Sequence, residues 1–228
     1  MRLKMKLQPP AGIGDASHDE TRGELLEAAG EVFAEAGFRN ATVREICRRA
    51  GANIAAVNYH FGDKETLYAE VLRYAHRRAL EKYPPLLGLP EDAPPEKKLR
   101  AFVHSLLLRI FDQGPTAWHG KLMLREMIEP TAALDSLIEE RIRPMSGQLW
   151  QIVAEILGRP LNDERVRLCA FSVVSQCVFY QHCRPVVSRL FPKQETLGAA
   201  GIERLADHIT RFSLAAMKSR AAGTATKH

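Results

Sequence analysis

The sequence has few cysteines and no long apolar run. These two features argue against a disulfide-rich secreted domain and against a membrane-spanning protein. Four cysteines among 228 residues, without a dense and even framework, are typical of a reducing compartment rather than of a disulfide-stapled secreted domain. The longest nearly apolar stretch, 169–180, includes two serines and a glutamine and is shorter than the roughly 20 residues of a membrane span. No apolar segment follows the basic N-terminus MRLKMKLQPP, as a secretory signal would require. We therefore expect a cytoplasmic protein that does not enter a membrane.

Motifs of the common enzyme classes are also missing. The sequence has no Gly-x-Ser-x-Gly elbow, phosphate-binding loop, dinucleotide fingerprint or paired-carboxylate motif beside its histidines. Cys169, Cys177, Cys183 and His182 lie near one another along the chain, but no pair has the Cys-x2-4-Cys spacing of a zinc site. We therefore expect neither enzyme activity nor a metal or cofactor.

Signals for β-structure are absent, and apolar residues recur at helical spacing along almost the whole chain, so the predicted fold class is all-α. Nine helices are predicted, at about 19–36, 42–50, 54–60, 63–82, 96–112, 119–128, 132–157, 163–182 and 201–219. Pro144 is expected to kink or split the seventh. Residues 1–18 and 221–228 have no periodicity and are expected to form flexible tails.

The second and third predicted helices are short and separated by a tight turn. Thr42 and Glu45 have the spacing of a capping box, in which each side chain satisfies a backbone N–H at the start of the second helix. The turn Gly51-Ala52-Asn53 follows, and Asn53 is suited to cap the third helix. Two short helices joined in this way indicate a helix-turn-helix.

Positive charge is concentrated around these two helices. The whole chain has 32 Lys and Arg against 27 Asp and Glu, a net charge of +5, but residues 38–64 hold five cations and only two carboxylates. The five cations are Arg39, Arg44, Arg48, Arg49 and Lys64. The first helix is acidic and is expected to turn away from this face. A local excess of this sign suits the phosphates of a nucleic acid.

Residues 21–71, and above all the segment TVREICRRAGANIAAVNYHFGDKETLYAEVL with its run 57–65, resemble the DNA-binding domain of the TetR family of bacterial transcriptional regulators. The segments HGKLMLREMIEP and CAFSVVSQCVFYQHCRP resemble the C-terminal domain of the CecR subgroup. The resemblance implies a TetR-like architecture with a helix-turn-helix DNA-binding domain at 19–65. An effector-binding and dimerisation domain is implied at 66–220.

The resemblance also implies roles for individual residues on double-stranded DNA. Contacts to the phosphate backbone are expected from Thr42, Tyr59, His60 and Lys64, because helix N-termini and hydroxyl or cationic donors suit phosphate oxygens. Arg44 is expected to add a further contact, because it lies near the N-terminus of the second helix. Base reading is expected from Asn53, Ile54, Ala55 and Asn58, where an asparagine can pair with adenine through two hydrogen bonds.

The C-terminal helices predict a sensor and a dimer interface. The 163–182 helix is apolar around most of its circumference, and the last helix has a narrow apolar seam. The resemblance implies a homodimer interface, expected at Phe171, Val174, Val178, Ile202, Leu205, Ile209 and Phe212. On pattern alone, both helices could instead lie inside a monomer. The resemblance also implies a pocket for a small, mainly apolar effector, and we expect it to be lined by Phe102, Leu106, Trp118, Met127, Gln176 and Tyr180.

Together these features predict a ligand-responsive transcriptional regulator, a repressor released from a palindromic operator by a small-molecule effector. The alternative is a helical enzyme or scaffold that uses its helix-turn-helix for protein contacts. The basic face around Tyr59, His60 and Lys64 favours the first interpretation, because protein contacts give no reason for it.

Overall fold

A computed structural model describes residues 13–114, 117–191 and 198–222, and the regular elements in these ranges are helices. The elements are α1 (Ile13–Asn40), α2 (Val43–Ala50), α3 (Ile54–Phe61), α4 (Lys64–Lys82), α5 (Pro95–Ile110), α6 (Trp118–Ile128), α7 (Ala133–Leu137), a π-helical turn (Ile138–Ile142), α8 (Arg143–Leu157), α9 (Glu164–His182), α10 (Arg184–Leu190) and α11 (Ala199–Ala222). The predicted all-α class is therefore confirmed.

Several helix boundaries differ from the prediction. α1 already begins at Ile13, inside the segment expected to be a tail, whereas residues 1–12 and 223–228 lie outside the described ranges. The predicted helix 132–157 is divided into α7, the π-helical turn and α8. Pro144 lies in the first turn of α8, where a helix does not need the missing N–H. α10 was not predicted, because seven residues are too few to establish a helical period.

The chain divides into two compact units, residues 1–72 and 73–228. The division falls within α4, whereas the sequence places it between residues 65 and 66. No change of composition marks a boundary inside a continuous helix, and this explains the difference.

The core of the first unit is built by α1 to α3 and the beginning of α4. Phe33 is fully buried, and the centroid of its ring lies 4.8 Å from that of Tyr68 in an edge-to-face arrangement. Gly37 interrupts α1 with a φ of 76°, which an L side chain rarely adopts. Val57 and Phe61 are the buried residues of α3, so the opposite side of this short helix remains exposed.

The core of the second unit is formed mainly by α5, α8, α9 and α11. Its buried members include Phe102, Leu149, Val173, Cys177 and Ile209. Arg100 on α5 pairs with Glu203 and Asp207 of α11, with N–O distances of 2.6 and 2.7 Å. Apolar packing therefore holds these helices together, and ion pairs lie at their exposed edge.

Candidate functional site

The start of α2 is capped as predicted on one side only. The Thr42 hydroxyl accepts a hydrogen bond from the Glu45 backbone N–H at 3.2 Å. The reciprocal half of the capping box is wrong, because the Glu45 carboxylate accepts hydrogen bonds from Arg48 and Arg49 instead. These bonds lower the pKa of Glu45 to about 2. Gly51 ends the helix with a left-handed φ of 66°.

α3 presents a contiguous exposed face opposite its buried residues. Ile54 is 51% exposed and Tyr59 is 74% exposed, and Ala55 and Asn58 between them are also exposed. Positions one, two, five and six of a helix lie on the same side. The predicted base-reading residues Ile54, Ala55 and Asn58 therefore share one face with Tyr59.

The two asparagines of this region are not equivalent. Asn53 caps α3, and its Oδ1 accepts a hydrogen bond from the Ala56 backbone N–H at 2.8 Å. A two-bond pair with adenine needs both the oxygen and the nitrogen of an amide, so the cap competes with base reading by Asn53. The exposed amide of Asn58 forms no hydrogen bond with another described residue, and it remains available.

Among the expected phosphate contacts, Lys64 and Arg44 keep their charges free of carboxylates within the described ranges. Lys64 is the first residue of α4, and its Nζ lies 3.4 Å from the carbonyl oxygen of Arg39 and 4.8 Å from the centroid of the Phe38 ring. Arg44 is exposed. The ring centroids of Tyr59 and His60, at the end of α3, are 5.0 Å apart.

Part of the predicted basic face is neutralised within the unit. Arg49 lies 2.6 Å from a carboxylate oxygen of Glu35 and 3.7 Å from one of Glu31, both on α1. Arg48 pairs with Glu45 at 2.7 Å. The expectation that acidic α1 turns away from the cations is therefore wrong for Glu31 and Glu35. Arg48 and Arg49 bind protein carboxylates, which leaves the other three cations for an external anion.

The second unit contains a partly open cavity of about 210 Å³. Its walls come from the second half of α4, from α5, α6, α8 and α9, and from the end of the π-helical turn, and they are mostly aliphatic, aromatic and methionine side chains. Phe102, Leu106 and Met127, three of the six residues predicted to line a pocket, do so.

The other three predicted pocket residues lie outside this cavity. Trp118 is buried against the ring of His119, with centroids 4.1 Å apart. Gln176 donates hydrogen bonds to the Ser172 carbonyl and the Ser213 hydroxyl. Tyr180 packs on the core of the unit. Helical spacing does not distinguish such positions from a cavity wall, because both are apolar and half-buried.

Polar side chains inside the cavity escaped sequence reasoning. His76, Arg109, His119 and Gln181 all line it. Helical spacing could have identified Arg109. It follows Phe102 by seven residues and Leu106 by three, and therefore occupies a core-facing position of α5.

Several polar atoms of these side chains have no hydrogen-bond partner among the described residues. Both ring nitrogens of His76, Nη2 of Arg109 and Oε1 of Gln181 are buried and have no hydrogen-bond partner among the described residues. Burial and the neighbouring charges of Arg109 and Arg141 lower the pKa of His76 to about 4. Burial lowers the pKa of Arg109 to about 10, so its guanidinium remains charged at neutral pH.

The residues predicted for a dimer interface fall into three groups. Phe171 and Phe212 are each 61% exposed. Val174 and Val178 line the cavity. The remaining three are Ile202, Leu205 and Ile209. Their seam packs into the core of its own unit, and this corrects their assignment to an interface.

Other exposed apolar side chains extend the surface around Phe171. Leu168 is 51% exposed and Phe179 is 52% exposed, and both follow the same side of α9 as Phe171 at helical spacing. Sequence reasoning missed them because α9 is apolar on nearly every side.

The cysteines and histidines form no additional site in the described ranges. Cys47 and Cys177 are buried free thiols, and burial raises the pKa of Cys177 to about 12, which suppresses thiolate chemistry. No group of three potential ligands among His, Cys, Asp and Glu is arranged around a metal position in these ranges. Their helices also include none with the length and apolar character needed to span a membrane.

A capped and exposed α3, preceded by α2 and a glycine turn, defines the first unit as a helix-turn-helix domain. The family model for bacterial regulatory proteins of the tetR family matches residues 25–71. The model for the C-terminal domain of the HTH-type transcriptional dual regulator CecR matches residues 95–217. The chain therefore belongs to the TetR family of transcriptional regulators, with a C-terminal domain of the CecR type.

Individual relatives agree with this assignment. The chain is 31% identical over 172 residues to the HTH-type transcriptional dual regulator CecR of Shigella flexneri, covering 72% of this chain and 76% of that protein. It is 33% identical over 187 residues to the HTH-type transcriptional repressor NicS of Pseudomonas putida, covering 78% and 83%. A crystal structure of AibR in complex with isovaleryl coenzyme A and operator DNA shares the fold, with a TM-score of 0.63 at 17% identity, covering 84% of this chain and 97% of that one.

Proposed function

We propose that the protein is a cytoplasmic, homodimeric repressor that binds a near-palindromic operator in double-stranded DNA. It leaves the operator when a small effector occupies the cavity of its second unit. The observation that carries the proposal is the exposed face of α3. Among the described residues, the side-chain amide of Asn58 beside Tyr59 has no hydrogen-bond partner, and Arg44 and Lys64 pair with no carboxylate.

The division of labour on DNA follows from what each group can donate. Lys64, Arg44 and the Thr42 hydroxyl are suited to phosphate oxygens, and such contacts supply affinity for any sequence. Asn58 can form two hydrogen bonds with adenine in the major groove, and Ile54 and Ala55 offer apolar contact to a thymine methyl. Asn53 is assigned primarily to the helix cap because its oxygen is already bonded.

The exposed apolar surface of the second unit supports a homodimer. Leu168, Phe171 and Phe179 on α9 and Phe212 on α11 expose more than half of their side chains in the single subunit. Large aromatic side chains in such a surface are typical of an interface between proteins. Two copies joined there would carry two α3 helices, as a palindromic site requires.

The cavity supports the response to an effector. Its volume of about 210 Å³ and its mostly apolar walls suit a small molecule with few polar groups. NicS is a repressor, and AibR binds both a coenzyme A thioester and operator DNA on a related fold.

One helix links the two functions along the chain. α4 carries Lys64 at its first position and, within the second unit, contributes Ala75, His76 and Ala79 to the cavity. A ligand in contact with the second half of α4 would favour one orientation of this helix. It would release DNA only if its affinity differs between the DNA-bound and the free conformations.

Footprinting of the purified protein on the DNA that flanks its own gene tests the proposal. The expected result is protection of two half-sites whose centres lie about 34–36 Å apart, or a multiple of that spacing, with light scattering reporting a dimer. The control is the Asn58→Ala variant, which is expected to fold but to lose the footprint at the same concentration. A monomer that protects a single half-site would contradict the proposal.

A further inference from the structure

The cavity of the second unit combines apolar walls with a buried cation. Arg109 is only 8% exposed, and its Nη2 has no hydrogen-bond partner among the described residues. Its Nε donates to the Ser105 carbonyl at 3.2 Å, and its Nη1 lies against Met145 Sδ. The guanidinium is thus fixed by two of its nitrogens, and the third is left without a bond at the cavity.

The described part of the subunit supplies no anion to this guanidinium. None of the ion pairs in the described ranges includes Arg109, and only the Cys177 thiol has a favourable electrostatic effect on it. The buried carboxylate of Glu126, on α6, accepts hydrogen bonds from the backbone N–H and the hydroxyl of Thr131 instead. A buried charge without a partner is strongly unfavourable, so an anion from outside the chain would relieve a real cost.

A second donor lines the same cavity. His76, on α4, is 8% exposed, and neither ring nitrogen has a hydrogen-bond partner in the described part of the chain. A neutral imidazole offers one N–H donor. The amide of Gln181 also lines the cavity, and its unbonded oxygen can exchange places with its NH2 group by rotation. Among the described residues, Arg109 supplies the guanidinium of the cavity wall, and together with the neutral donors it suits a group with a single negative charge.

The volume limits the rest of the ligand. A cavity of about 150 Å³ lined by apolar side chains holds a benzene ring, and this cavity measures about 210 Å³. It therefore has room for one ring or a short hydrocarbon chain together with a small polar head. The walls around this space are apolar, with Phe102, Met123 and Leu149 among them. A nucleotide or a whole coenzyme A thioester exceeds the volume of the cavity.

We propose that the cavity binds a small apolar monocarboxylic acid. Its carboxylate accepts hydrogen bonds from Arg109 Nη2 and His76, and its hydrocarbon body lies against Phe102, Met123 and Leu149. This inference rests on the proposed function, since it names the chemical class of the effector.

Calorimetric titration of the full-length protein at pH 7.5, without DNA, tests the proposal. The probes are benzoate, phenylacetate, hexanoate and octanoate, each compared with its own amide, which has the same size but no charge. We expect at least one acid to bind ten times more tightly than its amide. If no acid reaches this ratio, the proposal is overturned.

Variants of α5 assign the selectivity to a residue. Arg109→Met keeps an apolar stem but removes the charge, and is expected to reduce the preference for the acid to less than twofold. Arg100→Met, on the same helix but in an exposed ion-pair cluster, is the matched control and should keep the full preference. If Arg109→Met keeps the preference, Arg109 has a structural role only and the proposal is overturned.

The melting temperature distinguishes a structural role of Arg109 from a ligand-binding role, independently of the titrations. Because Arg109→Met removes an unpaired buried charge, its melting temperature without ligand is expected to equal or exceed that of the wild type. If this variant fails to fold, Arg109→Lys replaces it, and this variant should bind the acid more weakly while still preferring it to the amide. A Lys variant that binds the acid as tightly as the wild type does would overturn the role of the guanidinium.

The titrations do not depend on the operator, so failures of the two proposals are separable. An acid that binds as expected but leaves DNA affinity unchanged would support this inference and contradict effector release. A neutral compound that releases DNA, with no acid bound, would do the reverse.

Discussion

The two units of this chain leave polar groups unsatisfied in opposite places. In the first unit, the unbonded amide of Asn58 and the free charge of Arg44 lie at the surface, where water satisfies them at little cost. In the second unit, the unbonded groups of His76 and Arg109 are buried, where an unmet hydrogen bond costs about 1–3 kcal/mol and more for a charged group. In the proposed function, the first arrangement meets a polyanion and the second meets one small molecule.

The comparison also shows that a cation is available to an external anion only if no carboxylate of the protein already pairs with it. Arg48 and Arg49 are basic residues of the helix-turn-helix, but Glu31, Glu35 and Glu45 neutralise them. Arg109 is a buried cation in an apolar cavity wall, and none of the carboxylates in the described ranges pairs with it. The count of charges in a sequence segment is therefore a weaker guide to function than the partners of each charge.

The largest effect is expected from the core of the first unit. Ile46→Ala removes a fully buried side chain and should lower the free energy of unfolding of this unit by about 2–5 kcal/mol. DNA binding should be lost, whereas ligand binding by the second unit should persist. Urea unfolding followed by circular dichroism measures the stability, and calorimetry measures ligand binding.

The control is Ile54→Ala, at an exposed position of α3, which should change stability by less than about 0.5 kcal/mol. Loss of ligand binding in Ile46→Ala would contradict independent units.

Next in size is a pH effect from the second unit. The folded-state pKa of His76 is about 4, below its ordinary value of 6.5. As the pH falls, His76 therefore binds a proton in the unfolded chain at a higher pH than in the folded protein. Stability is therefore lost between pH 6.5 and pH 4, with a total of about 3 kcal/mol from this group. Urea titrations of the wild type and of His76→Phe at pH 7.5 and 4.5 measure the difference.

The control for this pH effect is His208→Phe, which replaces an exposed histidine of α11. Its stability should depend on pH as that of the wild type does. An equal loss of stability at pH 4.5 in the wild type and in His76→Phe would show that His76 titrates normally in the folded state.

A smaller effect separates the two asparagines of the helix-turn-helix. Asn58→Ala should cost about 1–3 kcal/mol of operator affinity, with little change on random DNA, because it removes a base contact. Its stability should match that of the wild type. Asn53→Ala should instead lower stability by about 1 kcal/mol, because it removes the cap of α3. Fluorescence anisotropy on both DNAs and thermal unfolding measure these changes, and equal losses on both DNAs for Asn58→Ala would show that it does not read bases.

The smallest effect concerns phosphate contacts. Lys64→Ala should weaken binding to every sequence and reduce the slope of log affinity against log salt by about one unit, because one counterion-releasing contact is lost. Arg48→Ala is the matched control, since Glu45 already neutralises this charge, and its slope should remain that of the wild type. A larger change of slope for Arg48→Ala than for Lys64→Ala would reverse the two roles.

Local signals were sufficient to predict the N-caps and the glycine breaks of the first unit. The caps at Thr42 and Asn53 and the breaks at Gly37 and Gly51 act within four residues along the chain, so sequence spacing carries them directly. The partners of Glu45 were not predictable in this way, because the same carboxylate can reach either the backbone or an arginine one turn later. Long-range pairs such as Arg49 with Glu35 depend on how α2 packs on α1.

The cavity of the second unit was less accessible to sequence reasoning. Three of its apolar residues were expected, since Phe102, Leu106 and Met127 follow helical periodicity. Whether a half-buried side chain faces a cavity or a neighbouring helix depends on the packing of several helices, and this is why Gln176 and Tyr180 were misplaced. The seam at 202–209 was identified as a packing surface, but periodicity does not state whether the partner is another helix of the same subunit or a second chain.

Reciprocal titration tests most directly whether this protein couples operator binding to a ligand in its second unit. A compound that raises the melting temperature of the purified protein would be titrated into the free dimer and into the dimer saturated with operator DNA. If the ligand weakens DNA binding 100-fold, the account predicts 100-fold weaker ligand binding to the DNA complex, a coupling of about 2.7 kcal/mol. Equal ligand affinity for the free and the DNA-bound protein would contradict it.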